Sequence, residues 1–348
     1  MKFEIFMEEM SRGLSQGEAF RETLGLADAA EAWGLDGVWL GEMHFNPTRS
    51  VHSAPLVLAG AIAGRTKRLR VGTAVQLLPL NNPLRIAAEV ATVDHLSEGR
   101  FDFGVGRSGN PRAYDIYGIP YAESQARFRE ALDIIRQAWK GEPFGYEGQF
   151  HRFQNATVAP RPYQIPHPPI RMAAGSPETF PVVARLGVSA FAGLRAMDIP
   201  DLKTYLQTYR EAWRDAGHAG EPSVHLRIPV YAGTTQREAL EEPREAITYY
   251  MRRQAEITRA PVGRAGAGPA DRRQAQAERL ANLTYEQILE TKVLFGTAAG
   301  LIERLTELRE ELGIDGIAAE LNPGGLIPAE RVMRTLHTIT HHVMPAFR

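Results

Sequence analysis

Three stretches of this chain repeat one local pattern: GLDGVWLGEMHF at residues 34–45, ARLGVSAFAGL at 184–194 and LGIDGIAAEL at 312–321. Each runs from a helix end through a glycine and a short turn into an almost continuously apolar strand. The glycine is the expected left-handed helix stop. A strand apolar on both faces belongs to a parallel sheet covered on both sides. A repeated helix–glycine–strand unit therefore predicts an alternating β/α chain.

The same reading places strands at 2–7, 37–40, 69–75, 101–105, 170–174, 189–193, 224–230 and 316–320. Amphipathic helical stretches occupy 18–33, 54–63, 83–96, 123–139, 177–186, 199–216, 236–257, 298–312 and 329–341. Eight strands alternating with helices predict an α/β fold, a (β/α)8 TIM barrel, as one domain over 1–348. Periodicity alone leaves an open doubly wound sheet as the alternative. Two segments fall outside the repeat. Residues 141–168 are rich in Pro, Gly and aromatics and predict a loop with a small hairpin. Residues 259–282, between the seventh and eighth strands, are rich in Gly, Ala and Arg; a mobile loop or lid and a plain surface insertion both suit them.

Composition narrows the function. A net charge of −1 with no long basic run excludes a nucleic-acid or membrane surface as the main partner. The absence of cysteine excludes disulfides, thiolate metal sites and a cysteine nucleophile. Glu4, Glu8 and Glu9 interrupt the apolar N-terminus, which is no signal peptide, and no apolar run spans a bilayer. A cytoplasmic protein is expected.

In a β/α barrel the chemistry sits at the C-terminal ends of the strands. After the second strand come Glu42 and His44, an acid and an imidazole two residues apart. A histidine there suits general acid–base work near neutral pH. After the fourth come Arg107, Asn110 and Arg112. After the fifth, Gly175-Ser176-Pro177-Glu178-Thr179 opens a helix. Ser176 reads as its N-cap and Pro177 as its first residue, so with Arg107 the site suits a phosphate. His52, His95, His151, His341 and His342 read as packed, structural histidines. No third ligand joins Glu42 and His44, so no metal site is expected. No dinucleotide fingerprint is present.

These residues resemble the bacterial luciferase-like flavin-dependent monooxygenases. The matching stretches are 34–45, residues 65–118 with the specific run DHLSEGRFDFGVGR, and MAAGSPETFPVVARLG at 172–187. The similarity spans nearly the whole chain and is weakest in 259–282. It implies FMN at the strand ends. Arg107, Gly175, Ser176 and Thr179 would hold its phosphate, and Ala74-Val75 would lie beneath the flavin ring. His44 would act as acid or base near the reactive edge, oriented by Glu42. The implied reaction takes reduced FMN from a separate reductase and O2, and oxygenates a small organic substrate through a C4a-peroxyflavin. The resemblance also implies a homodimer, for which the apolar helix 54–63 is a candidate contact, and it favours the lid over a plain insertion.

There are departures. Gly106 replaces a larger residue beside the flavin, which implies more room there. Phe191-Ala192-Gly193-Leu194 is smaller than the aromatic wall of light emitters. Both put a long-chain aldehyde and light emission in doubt. An F420-dependent oxidoreductase and a non-catalytic flavin-binding protein are the alternatives.

Overall fold

Lys2–Met7 (β1) pairs in parallel with strands from both ends of the chain, and this pairing shows a closed sheet. The computed structural model describes every residue except Ala196. The remaining strands are β2 (Gly37–Leu40), β3 (Arg70–Thr73), β4 (Gln76–Leu77), β5 (Phe101–Gly106), β6 (Phe144–Glu147), β7 (Arg152–Ala156), β8 (Ile170–Ala173), β9 (Ser189–Gly193), β10 (Val224–Ala232), β11 (Leu294–Gly296) and β12 (Gly316–Glu320). The parallel order β1-β2-β3-β5-β8-β9-β10-β12 returns to β1. This is the expected eight-stranded barrel, not the open sheet.

The helices before the barrel's midpoint are α1 (Gln16–Ala32), α2 (Pro55–Arg65), α3 (Pro83–Leu96), α4 (Arg112–Tyr117) and α5 (Ser124–Ala138). They are followed by α6 (Thr179–Arg185), α7 (Ile199–Asp215), α8 (Gln236–Glu241), α9 (Arg244–Arg259), α10 (Ala270–Ala281), α11 (Tyr285–Thr291), α12 (Ala298–Leu312) and α13 (Ala329–Thr338). None is long and apolar enough to cross a membrane.

Strand alternation divides the core. Phe3, Ile5 and Met7 of β1 join the cluster between sheet and helices. Phe6 joins Trp39 and Phe191 inside the barrel. Trp39 fills that interior: its ring meets Phe191 edge-on at 4.6 Å, and its Nε1 donates to Glu4 at 2.7 Å. Gly72 is glycine because a Cβ there would overlap the Trp39 ring. Below Trp39, His225 Nδ1 donates to Glu4 at 2.6 Å. Burial alone would raise the Glu4 carboxyl; His225, with Arg171 and Trp39, brings it below the usual carboxylate range.

Several elements differ from the sequence expectation. The predicted helix 236–257 is two helices, because Pro243 cannot continue α8 and begins a new turn. The predicted strand 69–75 ends at Thr73; the Ala74–Val75 peptide is cis, and β4 follows it. Residues 141–168 carry the expected hairpin, β6 against β7. Residues 259–282 are less loop-like than their composition implied, since α10 occupies their second half. The apolar helix at 54–63 buries Leu56, Leu58, Ala59 and Ile62 but leaves Val57 76% exposed.

Candidate active site

A cavity of about 1160 Å³ opens at the C-terminal ends of the barrel strands. Ala74, Val75, Gly106, Arg107, Gly175, Ser176 and Thr179 all line it, so residues far apart in sequence converge on one space. Glu42 also lines it, but His44 is not among its wall residues.

Glu42 is a junction. Its Oε2 accepts from the Leu77 backbone N–H at 2.7 Å and from Gln76 Nε2 at 2.6 Å. Its Oε1 accepts from His44 Nε2 at 2.6 Å. That bond places the proton on Nε2, so Nδ1 is free to accept from the Tyr117 hydroxyl at 3.3 Å. The Glu42 side chain is 1% exposed and that of His44 11%. The acid thus faces the cavity, and the imidazole connects it to Tyr117, which is 47% exposed.

Arg107 follows β5. Its guanidinium donates to the Ser124 hydroxyl at 3.0 Å and to Tyr121 at 3.4 Å. It has no carboxylate partner among the described residues. In the same cavity wall, the Ser176 and Thr179 hydroxyls lie 2.9 Å apart. The expected capping geometry is absent. Glu178, not Ser176, is the N-cap of α6, and the Thr179 N–H already donates to the Ser176 carbonyl. An anion site here rests on two hydroxyls and a guanidinium, with little left for the helix end to give.

Gly106 does not supply the extra room expected of it. A Cβ there would overlap the Val75 side chain, which occupies that space. Phe191 turns into the barrel against Trp39 and also reaches the cavity. His52 is structural, as expected: it accepts or donates between Met7 O and Thr23, at 3.2 and 3.0 Å.

The inner end of the cavity carries a charged network that sequence reasoning missed. Arg227 binds Glu320 at 2.7 Å and Glu8 at 3.4 Å. Arg49 binds Glu9 at 2.7 Å and approaches Glu8 at 3.7 Å. The Tyr250 hydroxyl donates to Glu320 at 3.0 Å. Burial pushes the Glu8 carboxyl up, but Arg49, Arg227 and Arg195 outweigh it and hold it below the usual range. Glu8 and Glu320 follow or end strands, so the strand-end rule could have found them. The wall supplied by α9 and α10 had no such signal.

Segment 259–282 borders the same cavity through Gly266, Ala267, Arg272, Arg273 and Gln276. Three of its arginines bind three separate strand-end segments: Arg264 to Asp115 at 2.7 Å, Arg272 to Glu178 at 2.9 Å and Arg279 to Asp198 at 2.8 Å.

Known proteins match this architecture along its length. The flavin-dependent trigonelline monooxygenase oxygenase component of Acinetobacter baylyi is 25% identical over 100% of this chain and 96% of its own. The structure of monooxygenase RslO1 from Streptomyces bottropensis superposes with TM-score 0.83 at 28% identity, covering 100% of both chains. The oxygenating constituent of 3,6-diketocamphane monooxygenase from Pseudomonas putida, solved with FMN, shares the fold at TM-score 0.82 and 23% identity, over 99% and 98% of the two chains. An F420-dependent secondary alcohol dehydrogenase shares the fold at 17% identity, with TM-score 0.76. The family described as luciferase-like monooxygenase matches residues 1–316, and with the barrel and its strand-end cavity agreeing, this chain belongs to that family.

Proposed function

We propose that this chain is the oxygenase of a two-component system, using reduced FMN and O2 to oxygenate a small organic substrate. The observation that carries the reading is Arg107. It is a guanidinium with no carboxylate partner among the described residues, and it borders one cavity with the paired hydroxyls of Ser176 and Thr179. Such a set suits a phosphate, to which a guanidinium offers charge and a fork of donors. Gly175 adds an open approach, since a Cβ there would meet nothing within 4 Å. Ala74 and Val75 form the adjoining apolar wall for a flat ring.

Reduced FMN, when bound, supplies the activation of O2. The chain's own residues do the rest. Glu42, in the cavity wall, holds a proton on His44 Nε2 behind it. Segment 259–282 acts as a lid that excludes water, tied down by Arg264, Arg272 and Arg279. The relative named an oxygenase component supports a separate reductase as the source of reduced flavin.

The test is flavin titration followed by rapid mixing. The protein binds FMN, and Arg107→Ala weakens that binding first, by roughly tenfold or more. Mixed with oxygenated buffer, bound reduced flavin reoxidises more slowly than free flavin. Unchanged affinity in Arg107→Ala overturns the phosphate assignment. Tighter binding of F420 than of FMN moves the chain to deazaflavin hydride transfer.

A further inference from the structure

Two groups in the cavity wall have no role in the flavin reading. Arg195 follows β9 and lines the cavity, with no ion pair or hydrogen bond among the described residues. The neighbouring arginines differ: Arg49 and Arg227 are saturated by Glu8, Glu9 and Glu320. Its charge is one of those that hold the Glu8 carboxyl below the usual range.

The second group is Gln254, one helical turn after Tyr250 on α9. It is 2% exposed, lines the same cavity, and its Nε2 has no partner among the described residues. The other buried unpartnered atoms, on Gln76, Arg136, Arg171 and Arg334, belong to residues outside the cavity wall. Rotation about the last torsion exchanges the amide nitrogen and oxygen, so Gln254 can turn a donor toward the space. A buried donor without a partner destabilises a fold, so such a group in a cavity wall calls for a partner from the cavity.

We propose that the substrate carries a carboxylate, bound by the Arg195 guanidinium and the Gln254 amide. The inference rests on the flavin reading, which commits Arg107 to the cofactor phosphate. A guanidinium gives charge and two donors, and the amide adds a third donor that fixes orientation. Met197, Met251 and Ile257 line the same cavity and supply apolar surface for the rest of the molecule. Substrates in this reading are organic acids with an apolar body, and the oxygenated position lies away from the carboxylate.

The test uses FMN-saturated protein and three probe pairs: benzoate, phenylacetate and hexanoate, each against its methyl ester, by calorimetry. At least one acid binds roughly tenfold or more tightly than its ester, the size expected of a charge-assisted contact. Arg195→Ala and Gln254→Leu both abolish the preference, and both keep wild-type FMN affinity. Gln254→Leu also raises the Tm of the free protein by roughly 1–3 °C, because an unsatisfied donor is removed. Equal binding of acids and esters by the wild type overturns the proposal. So does a lowered Tm in Gln254→Leu, which would mean that the amide has a structural partner. Loss of FMN affinity in Arg195→Ala also overturns it, since Arg195 would then belong to the flavin. If the wild type binds no FMN, the flavin reading fails by itself, and the same comparison in excess inorganic phosphate still decides the carboxylate site.

Discussion

The side chain of Val75 fills the space into which a Cβ on Gly106 would project. Both residues line the cavity, so the glycine and the valine form one surface between them. Gly106→Ala is expected to cost about 1–3 kcal/mol by overpacking. Val75→Ala in the same chain restores most of that loss, giving a non-additive double-mutant cycle measured by denaturant unfolding. Additive effects would show that the two side chains do not share the space.

Glu42 and His44 separate into different roles. Glu42→Ala leaves the Leu77 N–H and Gln76 without their acceptor and lowers stability by about 1–3 kcal/mol. His44→Ala removes one bond from a partly exposed ring and leaves stability within about 1 kcal/mol of wild type. In the oxygenase reading His44→Ala retains flavin but releases hydrogen peroxide in place of product. Peroxide yield per reduced flavin consumed is the measurement, and a wild-type yield would remove His44 from the chemistry.

The three arginine ties of segment 259–282 are exposed, so salt screens them. The hydrogen bond from Arg272 is the main reason the Glu178 carboxyl is lowered to about 2. That pair therefore stays charged from mild acid to mild base. Limited proteolysis within residues 260–269 should accelerate with rising salt and in Arg272→Ala, and stay constant across neutral pH. Salt-independent cleavage would show that packing alone holds the segment.

Acid should loosen the barrel interior. The Glu4 carboxyl lies below its ordinary value of 4.5 in the folded chain, so its stabilisation is present above that value and lost as pH falls through the lower, folded one. Glu4→Gln flattens the acid limb of a Tm-versus-pH curve. An unchanged limb would place the acid sensitivity elsewhere.

The outer face of α2 tests the expected homodimer. Val57 is 76% exposed there, and Leu96 at the end of α3 is 58% exposed beside Gly60. Val57→Arg is expected to shift a dimer to monomer in light scattering. A monomeric wild type, or a dimer untouched by the change, would remove this face from consideration.

What the sequence exposes follows from where the physics is local. Helix–glycine–strand units are local, so all eight barrel strands could be read from it. That Arg107, Ser176 and Thr179 would line one cavity could be read too, because the barrel rule sends strand ends to one face. Ser176 is not the cap because a turn, closed by the Thr179 N–H on the Ser176 carbonyl, precedes α6. α10 was hidden behind its neighbours Gly266 and Gly268, although ADRRQAQAERLA is built from strong helix formers. Strand β11 is three residues long and carries no periodic signal. Gln254 could not be found at all, since a missing partner is a property of the fold.

β10 has two kinds of neighbour along its length. Val224–Arg227 pair with β9 and His225–Pro229 with β12, while Val230–Ala232 pair with β11. Barrel closure is thus finished before the strand reaches the excursion that carries α9 and α10. Residues 233–293 therefore add wall to the cavity without contributing a rung to the closed ring of eight strands.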